Sequence, residues 1–397
     1  MKFTRKEFLL SLIMSTTAFL SGCQKAGQDP DPQQQDPYLV SHTTIRTFTR
    51  DQMAQQVQQI NPALSFLVRY GIKVHKIVYN TKHPDGTAIK ASGVLLVPDA
   101  PTALPMVSQQ HGTISSDADA PSNFGPNSDA AYAGTLFASL GFILICPDYI
   151  GYGESKNLPH TYEHREGLAT ASLDMIRAAK EFMKETGVKT DDRLFLTGYS
   201  EGGFATMALH KKIEEEFPAE FNLRGSSIGS GAYDKPAFMK YIINEKTHGI
   251  SSYNRLYLWT MLTYNDLYKL NRPMSYYLKE PYATQVQEKG RNVDINVSIS
   301  DIFTDSFRKA VNDGTDKGFL DAVKDNDIHD WAPKARMRLY HGDADNLVFP
   351  FNTTNTVEAM KKRGVTNVEV FMLKGRNHAT AVSDYLLGTF EMFSSVQ

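Results

Sequence analysis

The chain has 397 residues, enough for one large α/β domain with an insertion or for two modest domains. Its 42 basic and 44 acidic residues nearly cancel, which argues against nucleic acid or another polyanion as partner and favours an uncharged substrate.

Residues 1–23, MKFTRKEFLLSLIMSTTAFLSGC, open with Lys2, Arg5 and Lys6, run apolar from Phe8 to Leu20 and end in small residues. The apolar run is too short to span a bilayer and has the layout of an export signal. Its end, Leu20-Ser21-Gly22-Cys23, resembles a bacterial lipobox. That resemblance implies a lipoprotein signal peptide over 1–22 and a lipidated Cys23 that attaches the protein to a bacterial membrane, the outer one in a Gram-negative cell. An ordinary cleaved signal with an incidental cysteine is the alternative. With Cys23 lipidated, Cys146 is the one remaining thiol, no internal disulfide can form, and the core must supply the stability. Residues 23–40 contain QKAGQDPDPQQQDPY, polar, Pro-rich and without hydrophobic period, and read as a flexible tether.

Beyond the tether, VHKIVYNT and AIKASGVLLVP flank the turn sequence KHPDG, which predicts an antiparallel hairpin over 74–98. Short apolar runs then recur at 104–110, 141–147, 193–198, 223–231, 335–342 and 368–375. Helical spacing separates several of them, notably over Glu163 to Lys184 and Gly202 to Glu216. Buried strands alternating with helices predict a mostly parallel sheet covered on both faces. The stretch between the strands near 230 and 336 is too long for a simple crossover and needs structure of its own. In it Tyr253, Tyr257, Met261, Tyr264 and Tyr268 follow one another at spacings of three and four, on one helix face. The expected organisation is a core over 41–234 and 334–397 with a helical cap inserted over 235–333.

RLFLTGYSEGGFATMAL, Arg193 to Leu209, starts with strand period and ends with helix period, with Ser200 at the bend. Such a turn puts the hydroxyl at the open end of a parallel sheet, where loops from several strands meet. It forces a strained backbone and needs small neighbours, which Gly198 and Gly202 provide. The Gly-x-Ser-x-Gly pattern alone is weak; the strand before it and the helix after it make it a nucleophile elbow. A serine nucleophile needs a base, and the base needs an orienting acid. His378 follows both acid candidates and sits in a loop directly after a strand. Asp343 and Asp345 compete for the acid role. His111 and His341, each before a glycine at a strand end, read as loop-orienting residues. Two donors are needed for an oxyanion: the backbone N–H of Glu201, next to the serine, and one from HGTISS, where Gly112 and Thr113 are available and Thr113 is preferred.

Taken together, HGT at 111–113, PDYIGYGES at 147–155, GYSEGG at 198–203, and GDADNLVFP followed by NHATA resemble the α/β-hydrolase superfamily over about residues 65 to 395. Within it, the chain is similar to secretory lipases and esterases with an inserted cap. The resemblance implies an α/β-hydrolase fold, Ser200 as nucleophile, His378 as base, Glu201 and Thr113 as oxyanion donors, and Asp148 and Tyr149 as scaffold at the mouth of the site. It also selects Asp345 over Asp343, because Gly342-x-x-Asp345-x-x-Val348 and Pro350 match the corresponding loop. The expected activity is hydrolysis of carboxylic esters through an acyl-enzyme, without metal or cofactor, on a small or lipid acyl ester. A serine peptidase of the same fold, using Glu201 and acidic cap residues to hold an amino terminus, is one alternative. A non-catalytic ligand-binding lipoprotein is another. The aromatic stripe of the cap reads first as packing and second as an acyl-chain groove.

Overall fold

The computed structural model describes residues 37–60 and 62–395; the export signal, Cys23 and the tether up to residue 36 lie outside the described residues. Nine strands form one sheet: β1 (Leu39–Phe48), β2 (Ile72–Lys82), β3 (Ala88–Pro98), β4 (Leu104–Gln110), β5 (Ile143–Pro147), β6 (Thr190–Tyr199), β7 (Asn222–Gly229), β8 (Arg336–Gly342) and β9 (Val368–Leu373). Their order is β1-β2-β3-β5-β4-β6-β7-β8-β9. The hairpin β2–β3, the added edge strand β1 and the β3–β5 pair are antiparallel. From β5 onward every pair is parallel.

Helices α1 (Arg50–Ile60), α2 (Thr135–Ser139), α3 (Arg165–Thr186) and α4 (Glu201–Glu216) precede a segment without sheet strands. That segment holds α5 (Lys235–Asn244), α6 (Ser251–Leu267), α7 (Met274–Tyr277), α8 (Tyr282–Lys289), α9 (Ile299–Ile302), α10 (Asp305–Asn312) and α11 (Lys317–Asp325). After β8 and β9 come α12 (Phe351–Lys362) and α13 (Val382–Ser394). The ends of α3 show why sequence sets these boundaries. His164 Nδ1 accepts the N–H of Gly167 as a cap at the start, and Gly187 takes a left-handed φ of 73° at the finish.

Alternation of side chains across the strands divides the core between two faces. Leu95, Ile145, Leu194 and Leu196 pack with Leu173, Ile176 and Leu209 of α3 and α4. Their strand neighbours Leu96, Leu144 and Phe195 pack on the other side with Met53, Phe137 and Phe393 of α1, α2 and α13. Both faces are therefore apolar, which is what makes the strands continuous hydrophobic runs in the sequence. Burying each such side chain contributes about 1.5–3 kcal/mol.

Parallel register brings the strand ends that carry chemistry to one edge. Gln110 lies beside Gly198, Tyr199 beside Gly229, Gly229 beside Tyr340, and Gly342 beside Leu373. The segment from α5 to α11 has its own apolar cluster, built on Phe238, Ile242, Tyr257, Tyr264, Phe303 and Phe319, which also takes in Leu347 and Val348 after β8. Among the described residues no helix is long and apolar enough to cross a membrane.

Candidate active site

β6 ends at Tyr199 and α4 begins at Glu201, so the whole reversal falls on Ser200, which has φ 60° and ψ −124°. A non-glycine residue held there stores roughly 1–3 kcal/mol of strain. The surroundings hold it in place: Ser200 N–H donates to Gly229 O at 3.0 Å, and Phe204 N–H donates to Ser200 O at 3.0 Å. A Cβ at Gly198 would lie 2.2 Å from Gly202 O, and one at Gly202 would lie 2.2 Å from Gln110 O. Both glycines are thus required by close backbone approach. Gly203 is equally constrained, 2.2 Å from Gly229 O, and was not anticipated.

The loops after β8 and β9 bring the expected acid and base to this serine. His378 Nε2 lies 2.9 Å from Ser200 Oγ, and His378 Nδ1 lies 2.6 Å from Asp345 Oδ2. With the Nδ1 proton directed at the carboxylate, Nε2 is left as the acceptor facing the hydroxyl. Asp345 is fully buried, and its Oδ1 accepts the N–H groups of Leu347 and Val348 at 3.0 Å each. Burial would raise its pKa, but hydrogen bonds from His341 and His378 outweigh this and hold it at about 2. Asp343, the other acid candidate, instead accepts the N–H of Gly375 at 2.6 Å and so steadies the loop that carries His378. The carbonyl of His378 accepts a hydrogen bond from Tyr199 OH at 2.7 Å, and Tyr199 OH accepts one from Ser230 Oγ at 2.9 Å. Sequence reasoning missed Tyr199, although it stands next to the nucleophile candidate; only the fold carries its ring back to the histidine.

Gly112 N–H is committed to Asp129 Oδ2 at 3.0 Å. The backbone N–H groups of Thr113 and Glu201 donate to no other group among the described residues. Thr113 Oγ1 lies 3.2 Å from Tyr162 OH. His111 is buried, its ring nitrogens facing Gly112 O at 2.7 Å and Asp148 O at 3.1 Å. His341 is buried too, bonded to Thr353 Oγ1 and Val348 O at 2.7 Å each. Both histidines orient loops. Asp148 accepts Ser92 Oγ at 2.5 Å and Ser122 N–H at 2.7 Å, and burial raises its pKa. Tyr149, at φ 65°, donates its hydroxyl to His111 O at 3.1 Å. Cys146 is a buried free thiol.

The side chain of Glu201 is engaged by His160. Its carboxylate is buried, with Oε1 2.6 Å from His160 Nε2. Tyr257 and Tyr264 are buried within the helical segment and donate their hydroxyls to Leu347 O at 2.8 Å and Glu163 O at 3.0 Å. They pack and brace; the groove reading of this stripe finds no support in their burial. One group, Asp234, Asp327 and His329, brings metal-competent atoms within 4.8 Å of one another among the described residues. Asp234 is already committed, capping α5 at Ala237 N–H and accepting from Asn355.

The family model described as secretory lipase matches residues 133–385. A crystal structure of a Legionella pneumophila protein superposes with TM-score 0.80 at 24% identity, covering 90% of this chain and 98% of that one. The rice cell wall degrading esterase LipA from Xanthomonas oryzae gives TM-score 0.75 at 21% identity, over 90% and 97%. Candida antarctica lipase A in its closed state gives 0.62 at 15% identity, over 89% and 82%. Among curated proteins none matches. The sheet order, the flanking helices and these likenesses identify an α/β-hydrolase fold.

Proposed function

Because this chain belongs to the secretory lipase family, whose members are ester hydrolases, we propose that it cleaves carboxylic esters with Ser200, His378 and Asp345 as its catalytic triad. The observation that carries this reading is the pair of hydrogen bonds of His378, 2.9 Å to Ser200 Oγ and 2.6 Å to Asp345 Oδ2. His378 Nε2 takes the proton of Ser200 as Oγ attacks the ester carbonyl. The negative charge that develops on the carbonyl oxygen is met by the backbone N–H groups of Glu201 and Thr113. The imidazolium, facing ionised Asp345, returns its proton to the leaving alcohol, and the acyl group stays on Ser200. A water then gives its proton to the same nitrogen, attacks the acyl carbon and releases the acid with Ser200 restored.

Burial of Glu201 favours this reading over a peptidase. A carboxylate that is closed to solvent, with one oxygen bonded to His160, is out of reach of a substrate ammonium. The helical segment over 235–333 serves as the cap, and the acyl or alcohol part of the substrate lies under it. Cys23 carries the lipid anchor after export, so the enzyme works at a membrane surface on small or lipid acyl esters. Metal and cofactor have no part in the route.

The test is a hydrolysis profile over p-nitrophenyl esters of increasing chain length, a feruloyl ester and a dipeptidyl amide, run with wild type and Ser200→Ala. Ester turnover lost in the variant, with the amide untouched by either, agrees with the reading. Ester turnover that survives in Ser200→Ala refutes it.

A further inference from the structure

The residue after the nucleophile carries an ionisable side chain that is buried and unused in the mechanism above. Its environment gives it a task. Glu201 is 2% exposed, its Oε1 is 2.6 Å from His160 Nε2, and its Oε2 has no partner among the described residues. His160 Nδ1 lies 2.7 Å from Ile150 O. A carbonyl only accepts, so Nδ1 bears a proton and donates it there. A single further proton bridges Nε2 and Oε1, and both rings of contact are shielded from water.

This link joins the first residue of α4 to the loop after β5. The same loop grips the opposite side of the site. Tyr149 OH donates to His111 O at 3.1 Å, Tyr152 OH donates to Ile114 O at 2.8 Å, and His111 Nε2 faces Asp148 O at 3.1 Å. Residues 148–152 therefore touch both backbone stretches that hold the expected oxyanion donors: 111–114 directly, and Glu201 through His160. Nothing else polar holds the Glu201 side chain.

We propose that His160 is a positioning residue for ester hydrolysis, which through its bond to Glu201 sets the backbone N–H of Glu201 at the distance from Thr113 that an oxyanion requires. The proposal rests on the ester-hydrolase reading of the same site. It follows that losing the link harms transition-state binding more than substrate binding. Complete loss of one oxyanion donor costs 10²–10³ in kcat, and a displaced donor costs part of that.

The experiment compares wild type, His160→Ala, Glu201→Ala, Glu201→Gln and the double alanine variant. Active sites are counted with a fluorophosphonate, and kcat, KM and affinity for a trifluoromethyl ketone that mimics the tetrahedral adduct are measured per site. Each alanine variant is expected to lose roughly 10–100-fold in kcat and the same factor in ketone affinity, with KM within about threefold. The double variant should be no worse than either single one, because they break one link. Glu201→Gln, whose amide can donate to His160 Nε2, should keep kcat within about fivefold of wild type. Unchanged kcat per titrated site in the alanine variants overturns the proposal, as does a fall in kcat without loss of ketone affinity. Should the alanine variants fail to fold, a Gln variant with kcat down more than tenfold overturns it equally, and one within fivefold sustains it. A wild type that hydrolyses no ester contradicts the underlying reading; a wild type that does, beside unaffected variants, contradicts this inference alone.

Discussion

Tyr257 of α6 donates its hydroxyl to the backbone oxygen of Leu347, 2.8 Å away, two residues beyond Asp345. His248 Nε2 faces the neighbouring Asn346 O at 2.7 Å. The helical segment thus holds the loop that presents the acid to His378. Tyr257→Phe keeps the ring in its apolar cluster and removes one buried hydrogen bond, so unfolding stability should fall by about 1 kcal/mol. Ester kcat should fall a few-fold as Asp345 loses part of its support, while relative rates across acyl chain lengths stay level. Urea titration and the chain-length profile check both; a shifted chain-length optimum would restore the acyl-groove reading of this tyrosine.

Much of the site could be read from the sequence because its parts are local. The elbow is contiguous, and its glycines are demanded by backbone contacts within a few ångströms of Ser200. Asp345 follows β8, which is buried almost throughout, and His378 follows β9, an edge strand without a fully buried residue that still reads as an apolar run. What escaped was set by distant contacts. β1 alternates poorly, is largely exposed, and pairs with β2 alone, so it carries no hydrophobic signature. His160 sits in a loop without period, and its meaning comes only from Glu201, 41 residues on. The choice of Asp345 over Asp343 needed the family pattern, since both follow the same strand. In space, Asp345 reaches the ring and Asp343 reaches Gly375.

A buried ion pair ties the helical segment to the core. Lys235, the first residue of α5, pairs with Glu163 just before α3, and its ammonium stands 4.3 Å from the centre of the Phe204 ring. Lys235→Met leaves a buried carboxylate without its cation and should destabilise by about 3–5 kcal/mol. Lys235→Met combined with Glu163→Gln should recover most of that loss. Urea unfolding of the three proteins decides; equal stability of wild type and the single variant contradicts the assignment.

Acid should weaken the fold in two steps. Burial lowers the pKa of His164 to about 4, below the ordinary 6.5, and its neutral Nδ1 caps α3 at Gly167 N–H, 3.0 Å away. A folded value below the unfolded one means the unfolded chain binds this proton first. The stabilisation is therefore complete above about pH 6.5 and lost as pH falls toward 4, on the order of 3 kcal/mol. For Asp345, at about 2 against an ordinary 3.8, the contribution is present above about pH 4 and lost between 4 and 2. His75, also lowered to about 4 by burial, adds to the same step, so His164→Asn, which keeps a capping oxygen, removes only the part due to His164. Stability measured from pH 8 to 3 should show the upper step shrink in that variant; an unchanged upper step contradicts the assignment.

The most direct measurement on the central claim is peptide mass analysis after brief exposure to a fluorophosphonate at neutral pH. One adduct is expected per chain, on the peptide that contains Ser200, and it should vanish in Ser200→Ala and slow by several orders of magnitude in His378→Ala. An adduct on another residue, or labelling at Ser200 that proceeds at an undiminished rate without His378, would contradict the account.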